Sequence, residues 1–212
     1  MSDNLKQIDN ILKSDPILLT NKEEKNKYLT NLIDELEKIK NKGNELYKRK
    51  QIEEATTKFN EGYQIFIKES PIIYKELYIN KQCENVILIY KKILSNLALC
   101  YYIQKNFNKA IEFDLKLIAL EPKFAKSIVR LFNSYSKLNK CQQAVYYGEI
   151  FMDLNYEIRK KFNGMEIKLE EEKIKLNKLQ KAEERRIKFV FIFYGSIFIL
   201  FLSLIYYYIF KK

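Results

Sequence analysis

Histidine is absent from all 212 residues, which removes Ser/His/Asp and Cys/His nucleophile pairs and every metal site that needs an imidazole. Neither GxxxxGK nor GxGxxG occurs, so the chain has no phosphate-cradling loop. Cys83, Cys100 and Cys141 are scattered, without CxxC spacing, as suits buried or idle thiols in a reducing cytosol. Only five glycines and three prolines interrupt a chain that is 47% hydrophobic, and strand signals are missing. These shortages predict an all-α protein, one mostly helical domain with appendages. An enzyme would have to work with Lys, Tyr and carboxylates alone, so the expectation is no catalysis, no cofactor and no metal.

Positive charge is in excess, at a formal net +11, but Lys and Glu alternate along most of the predicted helices. That mixture describes solvated faces. No basic run is interleaved with exposed aromatics as a base-stacking platform needs, so nucleic acid is not an expected partner.

What the chain does have is a repeat. Ala98, Tyr101, Ala110 and Pro122 each lie 34 positions before Phe132, Tyr135, Ala144 and Tyr156. A period of that length means a helix-turn-helix unit. Ala110 and Ala144 are small residues that let the second helix approach the first, and Pro122 stops the helix before it. Gly43, Leu46, Ala55, Phe59 and Gly62 fit an earlier copy, with about 21 extra residues before the next. This pattern resembles the tetratricopeptide repeat (TPR), and the resemblance implies a solenoid of three repeats, about 36–69, 91–124 and 125–158, with an insertion at 70–90.

Around the repeats, residues 1–35 read as an N-terminal arm and leader helix. Leu5, Ile8, Ile11 and Leu12 form a short stripe that Asp15-Pro16 interrupts, and the charges of Asp3, Lys6, Asp9 and Lys13 exclude a secretory signal. Thr20 and Glu23 have capping-box spacing. Leu29, Leu32, Leu36, Ile39 and Gly43 then predict one helix running into repeat one. Its partner is predicted at Ile52 to Lys68, ended by Glu69-Ser70-Pro71. Ile72, Ile73, Tyr74, Leu77 and Tyr78 argue against a floppy insertion and for longer flanking helices, with Val86 to Tyr102 in the first helix of repeat two.

After the repeats, 157–188 is expected to form a capping helix and stalk. Ile158, Phe162, Met165 and Leu169 would seal the open end of the solenoid. Beyond them fewer than three clean heptads exist, which favours a solvated stalk over a coiled coil. Phe189 to Phe210 is then 22 residues without a charge, about 33 Å as a helix, enough for a hydrocarbon core of about 30 Å. Arg185, Arg186 and Lys188 precede it, Tyr206 to Tyr208 sit near its far end, and only Lys211-Lys212 follow. The expectation is a transmembrane tail anchor with the repeats in the cytosol, on endoplasmic reticulum slightly ahead of the mitochondrial outer membrane.

A closer resemblance concerns binding. Asn96-Leu97-Ala98-Leu99-Cys100-Tyr101 is similar to the Asn-Leu-Ala-x-Cys-Tyr run that follows an insertion at the same place in large immunophilin co-chaperones. The likeness spans about Leu36 to Lys188, without the isomerase domain of those proteins. In that carboxylate-clamp class, Lys and Asn of repeat one, Asn of repeat two, and Lys and Arg of repeat three hold the C-terminal aspartate of a peptide ending Glu-Glu-Val-Asp. The corresponding positions here are Lys40, Asn44, Asn96, Lys126 and Arg130, and all five match. A terminal aspartate presents two carboxylates, and charge-assisted bonds to it are about twice as strong as neutral ones, while the Asn amides donate without adding charge. The implied partners are the C-terminal tails of heat-shock chaperones of the 70- or 90-kDa class. The alternative is a scaffold or precursor-import receptor whose groove takes another protein segment. Replacing Lys126 or Arg130 is expected to leave the fold intact, since both positions should face the groove.

Overall fold

A computed structural model describes residues 22–76 and 80–210. The stripe Leu5 to Leu12, Asp15-Pro16, Thr20, Leu77, Tyr78 and Lys211-Lys212 lie outside the described residues. Three helix pairs follow one another: α1 (Lys22–Lys48) with α2 (Ile52–Glu76), α3 (Lys81–Ile103) with α4 (Phe107–Leu120), and α5 (Ala125–Lys137) with α6 (Cys141–Met152). A short α7 (Tyr156–Arg159) leads to the long α8 (Met165–Phe210). No strand occurs among the described residues.

Each pair closes through the same turn. Lys50, Lys105 and Asn139 adopt φ of 62°, 59° and 55°, each two residues before the second helix. The next backbone N–H in each case reaches back to the first helix: Gln51 to Leu46 O, Asn106 to Tyr101 O and Lys140 to Tyr135 O, at 2.9–3.0 Å. This bond, together with the left-handed residue, is the Schellman closure. The same turn geometry recurs in each of the three helix pairs.

Small residues set the spacing between paired helices. Ala55, Ala110 and Ala144 are fully buried, each in the first turn of its second helix. At Gly43 a Cβ would lie 2.5 Å from Phe59 Cε1. Only glycine lets α1 come this close to α2. Among the first helices, α1 packs beside α3 and α3 beside α5, so they line up as one face.

Two expectations about boundaries need correction. Pro71 does not end α2, which continues to Glu76. A proline inside a helix removes the hydrogen bond to the carbonyl four residues back, here Ile67. Ser70 Oγ donates to that same oxygen at 2.8 Å, so the carbonyl stays satisfied. The insertion is absorbed, as expected, by lengthening: α1, α2 and α3 extend into a small bundle with Leu29, Leu32, Phe66, Ile73, Val86 and Tyr90 buried. Tyr28 OH donates to Glu69, and Asn80 Nδ2 to Asn26 Oδ1 at 2.8 Å, tying the leader to both extensions.

The cap is likewise not one helix. Met165 and Leu169 are buried beside Phe132, Ala144 and Phe151, with Ile158 and Phe162 packed at the edge, so the residues seal the last repeat as predicted. Between them the chain turns through Gly164 at φ 82°. A left-handed glycine breaks the helix while leaving the apolar spacing intact.

Among the described residues one helix, α3, is long and apolar enough to cross a bilayer, and half of that stretch is buried. It is the central helix of the solenoid core. At the other end, α8 continues unbroken to Phe210, and Phe189, Phe191, Ile192 and Tyr194 along it are exposed.

Candidate peptide-binding groove

The five sequence-predicted residues all lie on first helices: Lys40 and Asn44 on α1, Asn96 on α3, Lys126 and Arg130 on α5. Asn96 Nδ2 donates to Asn44 Oδ1 at 2.8 Å. One turn-set earlier, Gln82 Nε2 donates to Thr30 Oγ1 at 3.1 Å. Both bonds join residues 52 apart, so α1 and α3 run side by side in a fixed register, with Asn44 and Asn96 touching.

Lys40 precedes Asn44 by one turn and therefore shares its face. Its ammonium meets Glu37 at 2.5 Å, and its side chain is 12% exposed. Lys126 precedes Arg130 in the same way, is exposed, and occupies the first turn of α5. A cation there opposes the helix dipole, and Phe124 supplies no side-chain cap. That end of α5 therefore favours an anion twice over, through Lys126 and through the positive end of the helix dipole.

Arg130 departs from the expectation of a freely exposed groove residue. Its Nε and Nη2 lie 2.7 and 2.5 Å from Asp114 Oδ2 and Oδ1, in a side-on pair with the fully buried carboxylate of α4. Burial pushes the Asp114 carboxyl above its usual range, and the guanidinium opposes that rise. Burial likewise raises the Cys100 thiol, against a hydrogen bond with Thr56 and the charge of Arg130. A guanidinium has five donors. The pair with Asp114 uses the Nε/Nη2 edge and does not engage Nη1. The arginine is thus fixed in place by the fold itself. Its replacement would strand Asp114, so the fold depends on it as well.

Asp114 escaped the sequence reading, although a signal was there. It shares the buried stripe of Ala110, Phe113 and Leu117. A lone acid on such a stripe calls for a buried cation. The groove as built offers fixed donors and net positive charge, an arrangement suited to carboxylates. Among the described residues no cluster of His, Cys, Asp and Glu could hold a metal.

No protein-family profile matches the chain. Among curated proteins it is 28% identical over 108 residues to the Saccharomyces cerevisiae Hsp70/Hsp90 co-chaperone CNS1, covering 51% of this chain and 24% of that protein. It is 26% identical over 124 residues to the S. cerevisiae mitochondrial import receptor subunit TOM70, covering 58% of this chain and 15% of TOM70. The chain thus spans about a quarter or less of these relatives. Among solved structures, the C-terminal TPR-containing domain of a Plasmodium falciparum FK506-binding protein superposes with a TM-score of 0.55 at 22% identity, over 74% of this chain and 95% of that domain. Yeast Cns1 superposes at 0.50 and 24% identity, over 72% of this chain and 45% of that structure. The fold is the helical-repeat fold of these TPR-containing structures.

Proposed function

We propose that the protein is a membrane-tethered TPR adaptor that binds the C-terminal Glu-Glu-Val-Asp tail of cytosolic heat-shock chaperones of the 70- or 90-kDa class. The observation that carries this reading is the bonded pair Asn44–Asn96, flanked by Lys40 on one side and by Lys126 and the pre-set Arg130 on the other. Similarity to a co-chaperone supports the partner class. In this reading Lys126 and the outer edge of Arg130 take the carboxylates of the terminal aspartate, while Lys40 and the two amides orient its backbone. The protein carries out no chemistry of its own. Prolyl isomerisation or nucleotide hydrolysis by the purified chain would contradict that part.

Residues 189–210 serve as the membrane tether, with the repeats on the cytosolic side. The exposed side chains of Phe189, Val190, Phe191, Ile192, Phe193, Tyr194 and Phe198 support it, because isolated apolar surface of this kind is seldom left in water. Fractionation separates reticulum from mitochondrial outer membrane.

A second reading, a precursor-import receptor whose groove takes another segment, is favoured by the similarity to TOM70. The full chain in detergent, titrated with a labelled Glu-Glu-Val-Asp peptide and its C-terminal amide, separates the two. The adaptor reading expects binding of the free acid and at least a tenfold loss for the amide. Indifference to amidation leaves only the import-receptor reading.

A further inference from the structure

The register of α1 and α3 brings a cation to the groove that the five-residue clamp does not include. Lys92 lies one turn before Asn96, as Lys40 lies one turn before Asn44, and the Asn96–Asn44 bond puts these turns side by side. Lys92 and Lys40 are themselves 52 apart, the same separation as the two bonded pairs of this interface. Lys92 also holds the place in repeat two that Lys126 holds in repeat three, 34 residues on. It is exposed.

Its neighbours are employed differently. Lys91 is turned to Glu121 at 3.1 Å, a bond between the two ends of its own repeat, and Lys40 is held by Glu37. No such ion pair joins Lys92 to a carboxylate among the described residues. Lys92 therefore adds a positive charge at the groove level set by the Asn96–Asn44 bond. An additional carboxylate from the ligand would complement that charge.

We propose that Lys92 is a sixth ligand-binding residue of this groove, reading an acidic side chain of the bound peptide upstream of the terminal aspartate. The inference rests on the clamp reading above and adds a specificity determinant to it. The ligand class becomes an acidic C-terminal peptide carrying at least one further carboxylate.

The test uses the full chain in detergent, wild type, Lys92→Gln and Lys92→Arg, with three labelled peptides ending Glu-Glu-Val-Asp, Gln-Gln-Val-Asp and amidated Glu-Glu-Val-Asp. An exposed ion pair is worth up to about fivefold in affinity. Lys92→Gln should therefore weaken the Glu-Glu-Val-Asp peptide about three- to fivefold and leave the Gln-Gln-Val-Asp peptide unchanged, and Lys92→Arg should restore the difference. Equal behaviour of Lys92→Gln and wild type towards both peptides, or the same loss on both, overturns the role of Lys92 while the preference for acid over amide stands. Loss of that preference in the wild type brings down the clamp, and this inference with it.

Discussion

Arg130 lies side-on against Asp114, with Nε and Nη2 at 2.7 and 2.5 Å from the two carboxylate oxygens and both side chains buried. The pair joins the second helix of repeat two to the first helix of repeat three. It fixes a groove arginine and holds two repeats together at once. Removing one partner of a buried pair leaves an uncompensated charge, at a loss of about 3–5 kcal/mol. Asp114→Ala should lower stability by that amount in urea unfolding, and Asp114→Asn, which keeps the shape and one acceptor, by less. Equal stability of wild type and Asp114→Ala would mean that the pair is not formed in solution.

The close approach at Gly43 gives a second expectation. A Cβ there would sit 2.5–2.8 Å from three atoms of the Phe59 ring, and overpacking of this kind costs about 1–3 kcal/mol. Gly43→Ala should be destabilising, and adding Phe59→Leu should recover part of the loss. Additive effects in a double-mutant cycle would contradict the contact.

Turn geometry supplies a stabilising change. Lys105 holds φ 59°, where a side chain is strained and glycine is not. Lys105→Gly should raise stability by about 0.5–1 kcal/mol, seen as a higher thermal midpoint. A lower midpoint would show that the lysine side chain contributes more than its backbone loses.

The tether is tested by deletion. Without residues 189–212 the protein should leave the membrane fraction and stay in the supernatant. Persistence in the pellet after a high-salt wash would place membrane attachment elsewhere in the chain.

Much of the repeat architecture was legible because Gly43, Ala55, Ala98, Ala110 and Ala144 stand where helices touch, and few other residues can. The turns were less so, since Lys50, Lys105 and Asn139 adopt a conformation that sequence patterns assign first to glycine. Pro71 misled because the remedy, Ser70 donating to Ile67 O, is a single local bond that propensity does not weigh. The break at Gly164 hid behind an apolar stripe whose spacing runs straight through it. In the groove, the placing of Lys40, Asn44, Asn96 and Lys126 followed from repeat position alone. The burial of Arg130 did not, because its partner is 16 residues earlier on another helix.

The central claim is that the groove reads a free C-terminal carboxylate through α5, and Lys126 is the residue to change, being exposed and outside the buried pair. Binding of a labelled Glu-Glu-Val-Asp peptide to the full chain in detergent should be compared for wild type, Lys126→Ala and Lys140→Ala at moderate salt. Loss of one partner in a charge-assisted pair is worth about 2 kcal/mol or more when desolvated, which exceeds a tenfold change in affinity. The clamp reading predicts that loss for Lys126→Ala, little change for Lys140→Ala, and a smaller effect of amidating the peptide on Lys126→Ala than on the wild type, since only Arg130 then remains to hold the carboxylate. Equal affinity of all three proteins would contradict it.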